Sequence, residues 1–337
     1  MSLVKYIVKR FLSIIPILVG ILLMTFILSR MMPGDPVLAY LPRNFTLEMY
    51  EGARAQLGLD QPILVQLMVF LQDIVSGDWG VSVYIDKGLP VWDLIMERFP
   101  RTLDIAILSM IVAAIVGVKT GITSATHRNK PRDTLLRGFA LLGVAIPVFF
   151  LGIVLQYTFG YLIPIFPGVG YHSAEIDYPH ITGFHILDSI LTFRPDVMID
   201  YLYHLILPVF CLSFITLASI TRQTRSSMLE VLEQDYIRTA RAKGCKEKKV
   251  INSHALKNAM IPTITVIGLN FGALLGGAVL TEYTFNLNGV GQLMYECIRY
   301  RDYWVLNGVV FLTAFIYVTV NIVIDVLYAI IDPRIRY

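Results

Sequence analysis

The sequence predicts an all-α protein that crosses a membrane repeatedly: six transmembrane helices, an extracytoplasmic segment between helices 1 and 2, and a helical cytoplasmic loop between helices 4 and 5. Three observations lead there. Of 337 residues, 55% are hydrophobic and only 16% charged, with a mean hydropathy of +0.64, whereas soluble domains carry about 25% charge. Six apolar stretches are long enough to cross roughly 30 Å of hydrocarbon, which takes about 20 helical residues. Lys and Arg are divided unequally between alternate loops, as a fixed membrane topology requires. The same figures exclude other classes. A net charge of +3 leaves no nucleic-acid footprint. Cys211, Cys245 and Cys297 lie far apart with no C-x-x-C pair, so neither a zinc site nor a disulfide framework is suggested.

The first span, Phe11–Met32, follows Lys5, Lys9 and Arg10. It is too long for the apolar core of a signal peptide, and Ile27-Leu28-Ser29-Arg30 offers no small-residue cleavage site. Residues 1–32 therefore read as an uncleaved N-terminal helix, with Arg30 able to snorkel to the interface. Residues 33–102 read as external. They open with the turn-rich Pro33-Gly34-Asp35-Pro36 and contain a second breaker cluster, Ser76-Gly77-Asp78-Trp79-Gly80. Between the two, Leu64, Leu67, Met68 and Leu71 recur at helical spacing. This segment suits a cap on the helix ends or a docking surface.

Residues 103–337 hold the other five spans: Leu103–Thr126, Phe139–Ile163, Tyr201–Thr221, Ala259–Thr281 and Tyr303–Ile324. Only Leu103–Thr126 contains charges, Asp104 and Lys119, each within reach of an interface. Pro147 and Pro208 interrupt the third and fourth spans and predict kinks. With six spans both termini share a side. The loops on that side carry 18 Lys and Arg, against 3 in the short opposite loops 164–200 and 282–302. Both termini are therefore expected in the cytoplasm.

The loop 222–258 lies on the same side, with 9 basic and 4 acidic residues. Ser227-Met228-Leu229-Glu230 reads as a capping box. Leu229, Leu232, Tyr236 and Ala240 continue as one apolar stripe. Gly244 fits the position just past a helix C-terminus, where a left-handed backbone costs glycine little. A second helix is expected from about Lys246, running through His254, Leu256 and Asn258 to Pro262 at the bilayer. The loop thus reads as a helix–turn–helix that binds a partner.

Inside the spans, Gly268, Gly272 and Gly276 repeat every four residues with Gly277 adjacent, a pattern that permits close helix approach in lipid. It serves packing within the chain, a subunit interface or a pore wall. Gln156, Thr216, Asn270, Asn307 and Asn321 are polar at membrane depth and need partners or water, which makes them candidates for a translocation path. Catalytic patterns are missing: the sequence has no G-x-x-x-x-G-K-[ST], H-E-x-x-H or G-x-S-x-G. His172, His180, His185 and His204 are spaced 8, 5 and 19 apart, which fits no metal-ligand pattern. A proton-driven carrier would need an acidic residue in mid-span, and none is present. A membrane hydrolase would need a third partner for Ser213 and His204, which the fourth span does not supply.

The run from Arg225 to Gly244, Arg-Ser-Ser-Met-Leu-Glu-Val-Leu-Glu-Gln-Asp-Tyr-Ile-Arg-Thr-Ala-Arg-Ala-Lys-Gly, resembles the signature loop of ABC importer permeases, closest to the dipeptide, oligopeptide and nickel branch of the type I (MetI-like) fold. The resemblance extends through His254–Ala259, Pro262, Leu275–Glu282, Arg301-Asp302-Tyr303 and Asp332–Tyr337, and upstream through Pro33–Pro36, Leu57–Pro62 and Ser76–Gly80. Two places depart from the family. Arg238-Thr239-Ala240 stands where the general loop has Glu-Ala-Ala, and Asn286–Gly291 lacks a proline that relatives often carry before the first glycine.

The resemblance implies a permease without its own nucleotide site, in a prokaryotic plasma membrane. It implies a homologous second permease, two cytoplasmic ATPases that hold ATP and Mg, and an extracytoplasmic solute-binding protein. Asp235, Tyr236, Ile237, Arg238, Thr239, Ala240, Arg241, Ala242, Lys243 and Gly244 would form the ATPase-coupling helix. Di- and oligopeptides are the implied cargo; nickel and oligosaccharide permeases share the pattern.

Overall fold

The computed structural model describes residues 8, 10–31 and 35–331. Of the motifs above, Pro33-Gly34 and Asp332–Tyr337 lie outside them. All regular elements among the described residues are helical. Helix α1 is Ile14–Met31, α2 Leu47–Gln56, α3 Ile63–Ser76, α4 Val91–Thr126, α5 Pro131–Ala145, α6 Val148–Leu155 and α7 His185–Leu191. Then follow α8 Pro195–Leu232, α9 Asp235–Ala242, α10 Leu256–Gly277, α11 Val279–Phe285, α12 Val290–Tyr300 and α13 Tyr303–Ile331.

Five helices are long and apolar enough to cross a membrane, and six if the pair formed by α5 and the helix from Val148 to Leu162 is one broken span. That pair bends the third span Phe139–Ile163 at the interruption expected from Pro147, and far more sharply than a kink. The two pieces meet at 101°. Ile146 is extended (φ −87°, ψ 123°) and Pro147 begins the new helix. Proline has no N–H to continue the ladder, and its ring drives the preceding residue out of the α region. After Leu155 the backbone widens into a π-helix through Leu162.

The longest helices, α4 and α8, run parallel through the core. Asp104 and Tyr201 meet at one end, while the Thr120 and Thr221 hydroxyls lie 2.7 Å apart near the other. Small residues permit this approach: a Cβ on Gly117 would stand 2.9 Å from the Ile220 side chain, and one on Gly121 2.9 Å from the Thr221 carbonyl. Around the pair lie buried Ile105, Met110, Tyr201, Cys211 and Leu217, joined by Leu274 and Leu275 of α10. Asp104 does not reach an interface: it is buried and accepts a hydrogen bond of 3.1 Å from the Tyr201 hydroxyl.

Helix α4 begins at Val91, so residues 91–102 of the segment expected outside already belong to a helix that continues into the next span. Charges that interrupt the apolar count are absorbed internally; Arg98 pairs with Glu296 at 2.7 Å. Helix α3 packs Phe70 and Ile74 against Leu22 and Phe26 of α1, whereas Leu64 and Met68 of the expected stripe are exposed. Its apolar residues surround the helix, so spacing alone could not select a face.

The molecule has two chemically different ends. One, the Trp79 end, gathers residues 79–104, 165–200 and 282–303. The other, the Asp133 end, gathers 124–133 and 225–259.

Candidate coupling site and translocation groove

At the Asp133 end, α9 stands on a small apolar base. Ile237 and Ala240 point inward onto Met228 of α8, Ala125 of α4, and Val250, Ala255 and Ala259 leading into α10. Asp235, Tyr236, Arg238, Thr239, Arg241, Ala242, Lys243 and Gly244 are exposed. Two sequence expectations change here. Ser227 caps nothing, because α8 continues to Leu232; its hydroxyl instead accepts from the Gln223 amide at 3.1 Å. The apolar stripe breaks where the chain turns at Glu233-Gln234, which resets the helical register. Ile237 therefore takes the inward place expected for Tyr236, whose hydroxyl accepts from Asn258 at 2.7 Å. Gly244 is left-handed at φ +77°, with open space around its Cα. From Glu247 the second helix rises, widens into a π-helix over Val250–Ala255 and runs on as α10, with Pro262 inside it.

One buried ion pair clamps this end. Asp133 has no solvent exposure and binds both arms of the Arg225 guanidinium at 2.9 Å. It also accepts from the Ser124 hydroxyl at 2.5 Å and the Asn129 amide at 3.0 Å. Sequence reading misses it, since the two partners are 92 positions apart. Arg137, half exposed, also approaches Asp133 at 3.6 Å, and the ion pairs Arg238–Asp235, Arg241–Glu247 and Arg128–Glu233 are exposed.

The candidate path residues do not share one place. Gln156 ties the π-helix to its neighbours by donating at 2.7 Å to the carbonyls of Gly168 and Thr284. Thr216 bonds within its own helix to the Leu212 carbonyl, and Asn270 donates to Ser219 at 2.9 Å. Asn307 and Asn321 come together: both line an open, largely apolar groove of about 1030 Å³ between α1, α10 and α13. Gly272 and Gly276 form part of the same wall. The glycine row also sets helix distance, with the Gly268 Cα facing Ile324, and Cβ positions on Gly272 and Gly276 lying 3.1 and 3.5 Å from Tyr317 and Thr313. Gly277 ends α10.

At the Trp79 end, buried polar groups bond to partners distant in the chain. The Asp302 carboxylate is buried at the start of α13 and accepts from the Ser82 hydroxyl and from the Val83 and Tyr84 amides at 2.8–3.0 Å. Glu282 of α11, beyond the span that ends at Gly276, is fully enclosed. Its carboxyl accepts from Thr102 at 2.8 Å and from the Gln292 amide at 3.0 Å, where the N-terminus of α12 favours negative charge. Burial outweighs these bonds and pushes its pKa up to about 7. Gln292 in turn reaches Glu296, which pairs with Arg98. Nearby, the His185 ring is buried among Tyr171, Tyr178 and Tyr201, and both of its nitrogens lack partners. Burial, then Arg101, holds its pKa down to about 4. His172 and His180 touch this cluster through their rings, yet no set of three metal-ligating side chains converges among the described residues.

Comparison with known proteins gives the chain its family. Residues 117–337 match the family described as binding-protein-dependent transport system inner membrane component, and residues 3–106 match its N-terminal counterpart. The chain is 40% identical over 337 residues to the dipeptide transport system permease protein DppB of Escherichia coli (strain K12), covering 99% of each chain. It is 40% identical over 332 residues to the protein of the same name in Alkalihalophilus pseudofirmus, covering 98% of this chain and 99% of that one. The oligopeptide transport system permease protein AppB of Bacillus subtilis (strain 168) is 38% identical over 332 residues, again 98% and 99%.

Proposed function

Because the chain belongs to the family of binding-protein-dependent transport system inner membrane components, we propose that it forms one wall of the translocation pathway in an ATP-driven importer of di- and oligopeptides. It is a multi-pass inner-membrane permease subunit that works with partner ATPases and a solute-binding protein. Full-length identity to dipeptide and oligopeptide permeases supports the peptide cargo. The exposed α9 on its apolar base is the observation that carries the mechanism.

In this reading a second, homologous permease faces the chain across the groove of Asn307 and Asn321, and two ATPases sit beneath the pair. ATP and Mg are held by those ATPases, since this sequence carries no phosphate-binding loop pattern. The excess of Lys and Arg supports a cytoplasmic position for both termini and the Asp133 end. The Trp79 end then faces the solute-binding protein.

Coupling follows from packing. Ile237 and Ala240 of α9 are seated between the end of α8 and the start of α10. A close-packed base transmits displacement and does not absorb it. Movement of an ATPase against the exposed face of α9 therefore shifts two spans together, as helix shifts at subunit interfaces do. The test is purification of the tagged chain in mild detergent, with mass spectrometry of what accompanies it. A second permease and two P-loop ATPases are expected. A chain that reproducibly emerges alone from several detergents would overturn the reading.

A further inference from the structure

Where the external end of α1 meets α3 and the start of α13, a cavity of about 70 Å³ collects polar atoms that the protein leaves unsatisfied. Four buried side-chain atoms around it have no hydrogen-bond partner: Nε of Arg30, Oε1 of Gln66, the hydroxyl of Tyr303 and Oδ1 of Asn307. Tyr303 and Asn307 are 8% and 7% exposed. Buried polar atoms are ordinarily paired, so four orphans around one space mark a place for a ligand.

The charges narrow its chemistry. The Arg30 guanidinium lies over the Phe26 ring, 5.2 Å from its centre, and has no carboxylate within salt-bridge distance among the described residues. Arg98 and Arg101 at the same end are both engaged. Water would satisfy the amide oxygens but would leave a partly buried cation without a counter-charge, which is costly. A ligand with a carboxylate and an adjacent N–H meets all four groups. The carboxylate faces Arg30 and the Tyr303 hydroxyl, and the N–H faces the Gln66 and Asn307 oxygens, with the Asp73 carboxyl on the same lining. The C-terminal residue of a peptide is such a group. Asn307 also lines the large groove, so side chains preceding that residue would lie against apolar walls.

We propose that Arg30, Tyr303, Gln66 and Asn307 form a subsite of the permease that receives the C-terminal carboxylate of a peptide leaving the binding protein. The proposal rests on the peptide-permease reading above. The arrangement also revises the fate of Arg30: its head group turns into the protein at the helix end.

The test uses the intact transporter complex, purified without its solute-binding protein, with radiolabelled trialanine as the probe. Trialanine amide, which lacks the terminal charge, competes with it. Charge-assisted hydrogen bonds contribute enough that the amide should bind about tenfold or more weakly. Arg30→Gln should weaken trialanine by a similar factor and leave the amide unchanged. Tyr303→Phe, which keeps the ring and removes only the hydroxyl, should weaken trialanine by roughly threefold.

Equal affinity of the wild-type complex for the two peptides overturns the subsite. So does an Arg30→Gln complex that loses both equally, which is the mark of a structural role. Displacement of trialanine by anionic phospholipid in place of free peptide would reassign the cavity to a head group. ATP-driven uptake in proteoliposomes separates the two levels: uptake without carboxylate preference sinks the subsite alone, and absence of peptide uptake sinks the reading beneath it.

Discussion

The two ends of the helix bundle handle charge in opposite ways. At the Trp79 end, Asp302 is wrapped by the 82–84 backbone, Glu282 is enclosed by Thr102 and the start of α12, and Arg98 is matched to Glu296. These bonds join segments about 180 to 220 residues apart in the chain. At the Asp133 end, by contrast, Arg238, Arg241, Lys243, Lys246, Lys248 and Lys249 remain exposed. Among the described residues the buried charge there is Asp133, which Arg225 binds at 2.9 Å and Arg137 approaches at 3.6 Å. The first end holds itself together from within. The second holds a rigid base and leaves a charged helix outward, as a surface awaiting a partner does. Breaking a buried ion pair should therefore cost stability at either end, whereas removing charge from α9 should cost coupling.

The largest effect is expected at the clamp. Asp133→Ala leaves the Arg225 guanidinium partly buried without its carboxylate, which costs about 3–5 kcal/mol. The Asp133 end should loosen, and a thermal melt of the detergent-purified protein should fall well below the parent. Arg225→Met in the same background should recover part of the loss, because the unpaired charge is then gone. No recovery would mean that the Ser124 and Asn129 contacts of Asp133 carry the stability.

Glu282 comes next and brings a pH signature. Its folded pKa is raised to about 7 from an ordinary 4.5 by burial. The folded state thus holds the proton more tightly than the unfolded chain. Stability from this group is full below pH 4.5 and falls as pH rises through about 7, by about 3 kcal/mol at most. Glu282→Gln should flatten that slope and melt above the parent at pH 8, with the gap closing at pH 5. An unchanged slope would assign the pH dependence to another group; His185 cannot supply it, because its depressed pKa makes stability rise with pH up to its unfolded value near 6.5.

Gly244 has a smaller expected cost in stability and a larger one in function. It is left-handed with nothing near its Cα, so any penalty comes from the backbone and not from a clash. Gly244→Val should cost about 1–3 kcal/mol of local strain and re-aim the chain after α9. Transport should fall sharply while membrane insertion persists. Gly244→Asn, which tolerates a left-handed backbone, should retain most transport. If both substitutions are harmless, the geometry behind α9 is not part of coupling.

These positions also show what the sequence made legible. The left-handed Gly244 was readable because a glycine after an amphipathic run has few other reasons to be there. The all-helical fold and most spans were readable because membrane helices must be long and apolar. The start of α4 at Val91 was not, since Glu97, Arg98 and Arg101 break the apolar count and the Glu296 that neutralises Arg98 is 198 residues away. Pro147 announced an interruption but not an angle of 101°. The Ser227 cap failed because four residues matching a capping pattern can equally sit within a helix whose apolar side continues, as α8 does to Leu232. Of the polar span residues, composition could not tell Asn307 and Asn321, which face the groove, from Gln156, Thr216 and Asn270, which are bound to neighbours.

The smallest effect on stability is expected on the exposed face of α9, and it is the most informative. Arg238 pairs with Asp235 at 3.3 Å and Arg241 with Glu247 at 2.8 Å, all four well exposed to solvent. Exposed pairs of this kind contribute little, so replacing both arginines with alanine should change stability by about 0.5 kcal/mol or less. If α9 is the coupling surface, the same double variant should retain fewer ATPases on purification and uncouple ATP hydrolysis from peptide uptake. Arg98→Ala at the opposite end should do the reverse, lowering the melting temperature while ATPases still co-purify. A double arginine variant that melts early and couples normally would erase the distinction between the two ends. The charges of α9 would then serve its own fold, and the surface that meets the ATPases would have to be sought elsewhere on the 222–258 loop.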